Sequence, residues 1–289
     1  MTAAPWEAQG NPHSLDITEA EYFADYGEYM TSHKLELFRQ SPLSFKAMTE
    51  GKLKKETKAC YEFGSAFHML ALEGHDKLMA EYEVSSGPIN PKTGKAYGRD
   101  TKKWAEWLEE IDATGKKPLM SGEYVAFCEM ESSLISHPAA SELLKVGAPE
   151  VTIRAELLPG VPCQSRIDWL NATESLARIV DLKTCNDIGG EHTDDYPCKF
   201  ARDARVFGYA RQMAFYRLML SRLLDIPSRQ VEVAIIAVES AQPFEVAVFE
   251  YSQATLDHAE GQVLDKLCEY RNAIEGSGFE SRFLEPVTL

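Results

Sequence analysis

The sequence predicts a mixed α/β (α+β) fold: a central β-sheet flanked by helices, with a helical elaboration on its N-terminal side. Three observations predict it. Capped, helix-period segments, broken by one long loop, recur between about residues 41 and 137; alternating segments begin near residue 150; helix and strand patterns then interleave to residue 274. With 289 residues, 44% of them hydrophobic, the chain has enough apolar surface for a large core.

Each element has its own signal. Residues 1–30 are acidic and without a clear period, which reads as an extension or docking segment ahead of one domain over 31–289. In "SPLSFKAM", Ser41 is an N-cap candidate and Pro42 occupies the first helical position. "CYEFGSAFHMLALEG" fits a second helix closed by Gly74. "SSGPINPKTGKAYGRDTKKWAEWLEEI" is a loop rich in Gly, Pro and Lys that enters a helix near Lys103. "SGEYVAFCEMESSLISHP" is helical and stops before Pro138, because a residue preceding proline is driven out of the α region. "EVTIRAEL", "CQSRIDWL" and "LARIVDLK" alternate as three strands joined by turns at "PGVP" and "NATES". After "GGEHTDDYP" come one long amphipathic helix, "RVFGYARQMAFYRLMLSRLL", the strands "QVEVAIIAVE" and "FEVAVFEY", and a helix over 252–274.

Composition narrows the function classes. No apolar run reaches the length of a membrane span, and the first residues lack a basic-then-apolar signal, so a cytoplasmic protein without membrane partners is expected. The six cysteines are scattered without a C-x-x-C pair, which argues against a zinc ribbon or iron–sulfur cluster and for reduced thiols. A net charge of −15 disfavours non-specific attraction to nucleic acid, so any such role needs a local positive field.

In "IVDLKT" (179–184), alternation puts Ile179, Asp181 and Lys183 on one strand face, the two charges roughly 6–7 Å apart. Taken alone, such a pair reads equally as a solvated face, worth about 0–1 kcal/mol. The strand order adds to it: Asp168 ends one strand and Asp181 lies near the end of the next, so both carboxylates converge with Lys183. Hard divalent cations take oxygen ligands, and Asp168, Asp181 and the Leu182 carbonyl suit Mg²⁺. Lys183 would orient or help deprotonate an attacking water and stabilise charge on a phosphate.

Five motifs occur in order: "SPLSFKAMTEG", "FGSAFH", "RID", "IVDLK" and "QMAFY". Over roughly residues 30–255 this chain resembles the PD-(D/E)XK nuclease superfamily, and within it the exonuclease VIII (RecE-type) nuclease domains. The resemblance implies a restriction-endonuclease-like core built on a mixed sheet. It makes Asp168 and Asp181 metal ligands, Lys183 the catalytic lysine and His68 a contributor to the metal site. Gln212 and Tyr216 match a Q-x-x-x-Y pair near the active site or the DNA backbone. The proline of the "PD" motif is replaced by Ile167, and an acid expected from the first strand is either Glu150 or Glu156. Singly, each residue has a plainer reading: His68 or Tyr216 as core, Gln212 as helix surface, Asp168 as a turn former beside Trp169. Their order and spacing favour a site.

Positive charge is concentrated locally. Lys92, Lys95, Arg99, Lys102 and Lys103 stand against Asp100 alone, Lys52, Lys54, Lys55 and Lys58 form a second cluster, and Arg202, Arg205 and Arg211 flank the Q-x-x-x-Y segment. These are candidate phosphate contacts, and the segment 92–103 is expected to line a DNA passage; a solvated loop is the alternative. The resemblance implies a Mg²⁺-dependent exonuclease, with Mn²⁺ as substitute, that digests one strand of duplex DNA from its ends 5′→3′ and leaves a 3′ overhang. It also implies a ring-like homo-oligomer and a single-strand annealing partner. An endonuclease, an RNA-end trimmer and a binding protein without turnover are the competing classes; the intact Asp168, Asp181 and Lys183 disfavour the last.

Overall fold

The computed structural model describes residues 17–53, 59–173, 177–190 and 196–281. Lys54, Lys55 and Lys58 fall outside them. The chain opens with three short helices, α1 (Glu19–Ala24), α2 (Ser32–Gln40) and α3 (Pro42–Thr49). The start of α3 is as predicted: the Ser41 side chain accepts the Ser44 N–H at 3.1 Å and Pro42 fills the first turn. The next helix, α4 (Ala59–His68), runs into a π-helical turn over Met69–Glu73 and ends at Gly74, whose φ of 92° favours glycine.

A small unit follows that has no clear signature in the sequence. Beyond α5 (His75–Glu81), strand β1 (Tyr82–Ser85) pairs in parallel with β2 (Lys117–Met120), and α6 (Lys102–Asp112) forms the crossover. Two four-residue strands are too short to show a period. α7 (Ser121–Ser136) stops before Pro138 as expected, but the same proline starts α8 (Pro138–Leu143), with His137 Nδ1 accepting the Ala140 N–H at 3.2 Å.

The predicted meander is present as β3 (Ala148–Leu158), β4 (Val161–Ala172) and β5 (Ala177–Cys185). The expected single helix over 205–224 is instead two, α9 (Lys199–Phe207) and α10 (Tyr209–Leu224). Gly208 separates them with a φ of 76°, the left-handed cap that ends α9. β6 (Val231–Glu239), β7 (Val246–Glu250) and α11 (Gln253–Asn272) complete the fold. The main sheet has the order β3-β4-β5-β6-β7 and is mixed: β5 and β6 are parallel and the other pairs antiparallel. The parallel pair requires a crossover, which α9 and α10 provide. Among the described residues no helix is long and apolar enough to cross a membrane, and Cys128, Cys163, Cys185, Cys198 and Cys268 are free thiols.

Both faces of the sheet are covered. Ile153, Ile179 and Ile235 pack with Met213, Phe215 and Val263 of α10 and α11 on one side. Val180, Leu182 and Ile236 pack with Phe67 of α4 and Phe127 and Leu134 of α7 on the other. This two-sided cover explains the near-continuous apolar run of β6.

One irregularity positions the site. β4 pairs with β3 along most of its length, but with β5 only from Trp169↔Val180 to Ala172↔Ala177. Below that point the two strands part. Met30 fills the vacated edge of β4: its N–H donates to the Pro162 carbonyl and its own carbonyl accepts from the Gln164 N–H. The segment just before α2 is therefore built into the sheet. Tyr22 of α1 is buried, and its carbonyl accepts from Gln164 Nε2 at 3.2 Å.

Candidate active site

The fork between β4 and β5 is where the chemistry-bearing residues meet. Asp168 is not at the end of its strand, as the sequence suggested, but inside β4 at the last position before pairing with β5 begins. There its Oδ2 accepts the Leu182 N–H at 2.8 Å, a donor that a paired β4 carbonyl would otherwise satisfy. Leu182 is thus in the site through its N–H, while its side chain packs in the core. His68 reaches the same carboxylate from α4, with Nδ1 3.7 Å from Asp168 Oδ2. Gly64, one helical turn earlier, explains the approach: a Cβ there would sit 3.2 Å from Thr184 Oγ1, so glycine lets α4 lie close on β5.

Of the two acids on the first strand, Glu150 is the one at the fork. Pro149 pairs with Trp169 and Val151 with Ile167, which sets Glu150 opposite Asp168. Its φ of 53° is rare for a non-glycine residue, and such strain of about 1–3 kcal/mol concentrates at functional positions. Ligand atoms of His68, Glu150 and Asp168 all lie within 4.8 Å of one another. Glu156 is instead exposed at the hairpin end, where Oε1 accepts the Gly160 N–H at 2.7 Å. Arg166 holds Glu150 by a short ion pair and reaches back to Glu19 of α1 at 3.6 Å.

Asp181 and Lys183 lie on the α10 side of β5. Asp181 is 1% exposed, so the solvated-face reading fails. Lys183 Nζ stands 2.5 Å from Asp181 Oδ2, and Gln212 Nε2 donates to Asp181 Oδ1 at 3.3 Å and to Tyr216 Oη at 2.9 Å. The Q-x-x-x-Y pair therefore braces the D-x-K pair through one helix face. The Lys183 ammonium lies 5.2 Å from the centre of the Tyr209 ring. Ile167, at the proline position of the resemblance, is fully buried core.

Electrostatics follow from this packing. Burial, with Lys183 nearby, pushes His68 down to about 4, so its imidazole is neutral near pH 7 and free to act as a ligand. Burial and then Asp168 raise Glu150 to about 7. Burial likewise raises Asp168, against the pull of Lys183, and takes Asp181 to about 6. Burial alone would lower Lys183, but Asp181 and Asp168 outweigh it and hold the ammonium protonated. Glu150, Asp168 and His68 crowd together, and Asp168 and Asp181 share the field of Lys183; buried acids and a histidine so gathered are the pattern of a cation site.

A cleft of about 850 Å³ opens onto His68, Glu150 and Asp168, walled on the α1 side by Tyr22, Phe23 and Tyr26. The donor set fits a hard or borderline divalent cation: two carboxylates and one imidazole. Ligands about 2.1 Å from one ion lie no more than about 4.2 Å apart, so small side-chain rotations close the set.

The basic candidates are dispersed. Lys92, Lys95 and Arg99 are exposed on the loop after β1, and Lys102 and Lys103 both pair with Glu106. None of the five lines the cleft; what this excursion contributes there is Tyr82 and Lys117, the paired first residues of β1 and β2. Lys52 pairs with Glu50 at 2.6 Å, and Arg211 is committed to Glu36 at 3.0 and 3.1 Å. Arg202 lies beside Asp203 at 3.2 Å, and Arg205 donates to Tyr196 Oη at 2.7 Å; both remain exposed on α9.

Residues 31–281 match the family described as a PDDEXK-like domain of unknown function (DUF3799). Comparison with curated proteins gives no match. Among solved structures, that of a Eubacterium rectale protein provisionally named an exonuclease aligns at a TM-score of 0.64 over 95% of this chain and 97% of that one. At 14% identity this similarity shows a shared fold. SSO0001, also 14% identical, aligns over 58% of this chain and 69% of that one at a TM-score of 0.25 and carries no argument.

Proposed function

This chain belongs to the PDDEXK-like family DUF3799, and we propose that it is a divalent-metal-dependent nuclease acting on the ends of linear duplex DNA. The observation that carries this reading is the fork: His68, Glu150 and Asp168 within ligand distance of one another, backed by the braced Asp181–Lys183 pair. The name of the Eubacterium rectale structure points the same way.

In this reading His68, Glu150 and Asp168 would hold Mg²⁺ or Mn²⁺, and Asp181 and the Leu182 carbonyl would be the further oxygen donors. When bound, the cation polarises the phosphodiester and lowers the pKa of an attacking water. The chain's own residues do the rest. Asp181 fixes Lys183, whose ammonium is placed to stabilise negative charge developing on the phosphate. Gln212, held by Tyr216, keeps Asp181 from rotating away. Arg166 keeps Glu150 in place from behind.

The finer reading is RecE-type: digestion of one strand 5′→3′ to leave a 3′ overhang, by a ring-like oligomer that hands its product to a single-strand annealing protein. It rests on the motif order alone. The deciding assay compares end-labelled linear duplex with covalently closed duplex, in Mg²⁺ and in chelator. Release of label from linear DNA only, abolished by chelator, is the expected result. Cleavage of closed circles overturns the end specificity, and cleavage in chelator overturns the metal site.

A further inference from the structure

Beside the candidate site the chain exposes two consecutive large apolar residues, Val206 at 67% and Phe207 at 61%. They end α9, which is anchored by buried Phe200 and Ala204. A single exposed apolar residue needs no explanation. This pair has a specific setting. α9 carries Lys199, Arg202 and Arg205 against Asp203 alone, a positive helix in a chain of net charge −15. Gly208 then turns the chain, so that the Phe207 and Tyr209 rings lie 5.9 Å apart at 31°. Tyr209 in turn lies 5.2 Å under the Lys183 ammonium. The exposed ring is two contacts from the lysine.

We propose that Phe207 is the stacking surface for the base at the substrate's strand end, with Arg202 and Arg205 on the neighbouring phosphates. The proposal rests on the nuclease reading above and adds the residue that selects ends. Inside a duplex both faces of every base are already covered by neighbours. Only a terminal or unpaired base has a free face to offer an aromatic ring. Such stacking tolerates any base, because every base has a π-face. The spacing agrees: nucleotides advance about 3.4 Å along a duplex strand, so two ring contacts of this length put a stacked terminal base within a few nucleotides of a phosphate beside Lys183. The basic side of α9 meets the charge of those phosphates.

The test uses a duplex carrying 2-aminopurine, a base whose fluorescence is quenched by stacking, at either the terminal or a central position. It is mixed with the full chain in chelator, which withholds the cation and stops turnover. Binding is expected to quench the terminal probe further and leave the central one unchanged. Phe207→Ala is expected to abolish that quench and weaken end binding about 5- to 150-fold, while Phe207→Tyr retains both. An unchanged terminal quench in Phe207→Ala overturns the proposal. So does a Phe207→Ala chain that changes only its sedimentation, which would make Val206 and Phe207 a contact between subunits. Failure of the nuclease reading looks different: the unmodified chain with Mg²⁺ would then cleave no nucleic acid.

Discussion

Asp181 is a buried carboxylate beside a second one, and an uncompensated charge there would cost several kcal/mol. Lys183 and Gln212 are what make its burial tolerable. Asp181→Ala should therefore abolish cleavage while duplex binding is kept or tightened, since a negative charge leaves the phosphate path; cleavage and gel-shift assays on one preparation check both. Lys183→Ala should lower turnover by about 10²- to 10³-fold. It should also lower the thermal midpoint, because it strands Asp181 without its cation at a cost of about 3–5 kcal/mol. Adding Asp181→Asn should return part of that stability and none of the turnover. A lysine on a solvated face would show no stability loss.

Among the elements, the site depends on where α10 lies over β5. Glu36 helps to fix it, since one carboxylate on α2 accepts from Arg39 of its own helix and from Arg211 of α10. Burial would raise Glu36, but the two guanidinium groups outweigh it and hold the carboxyl down at about 2, against 4.5 ordinarily. A depressed acid stabilises fully above its unfolded value, and that contribution disappears as pH falls through the folded value. Glu36→Gln should therefore be less stable than the parent at pH 7, by about 1–3 kcal/mol for hydrogen bonds to a charged group. The difference should close between pH 4.5 and about 2. Urea unfolding across that range measures it; a constant gap would mean that the amide keeps the same bonds.

For the whole molecule the governing problem is charge. To act as the proposed nuclease, a chain at −15 would have to hold DNA with a few local cations. The cleft adds to the difficulty, because Glu19, Glu73 and Glu81 line it along with the site acids. Arg202 and Arg205 are exposed on α9, which leads through Gly208 to Tyr209 beside Lys183, whereas Lys92, Lys95, Lys102 and Lys103 belong to the β1–α6–β2 excursion and do not line the cleft. Neutralising Arg202 and Arg205 together should flatten the plot of log affinity against log salt, by about 0.9 for each phosphate that the protein ceases to neutralise. Neutralising Lys92, Lys95, Lys102 and Lys103 should change it less. The reverse ranking would move the DNA path to the excursion.

Strong local signals made several elements legible from the amino acids alone: the Ser41–Pro42 start of α3, the Gly74 stop, the alternating meander and the motif order that pointed to the superfamily. Caps, turns and two-residue alternation act over a few neighbouring residues, so a linear reading captures them. The division between α9 and α10 was not legible, since an apolar stripe runs through Gly208 and only the left-handed turn breaks it. Nor was the choice between Glu150 and Glu156. Folding the chain symmetrically about "PGVP" sets Ile153 opposite Asp168, three residues from each glutamate. The actual register, with a tight turn at Pro159–Gly160 and an irregularity between Glu156 and Leu158, selects Glu150. The convergence itself was tertiary. Asp168 meets His68 and Leu182 because β4 and β5 part at that residue, with Met30 taking the freed edge of β4. Strand pairing is a long-range competition for backbone partners, and no local pattern of side chains records where one strand leaves another.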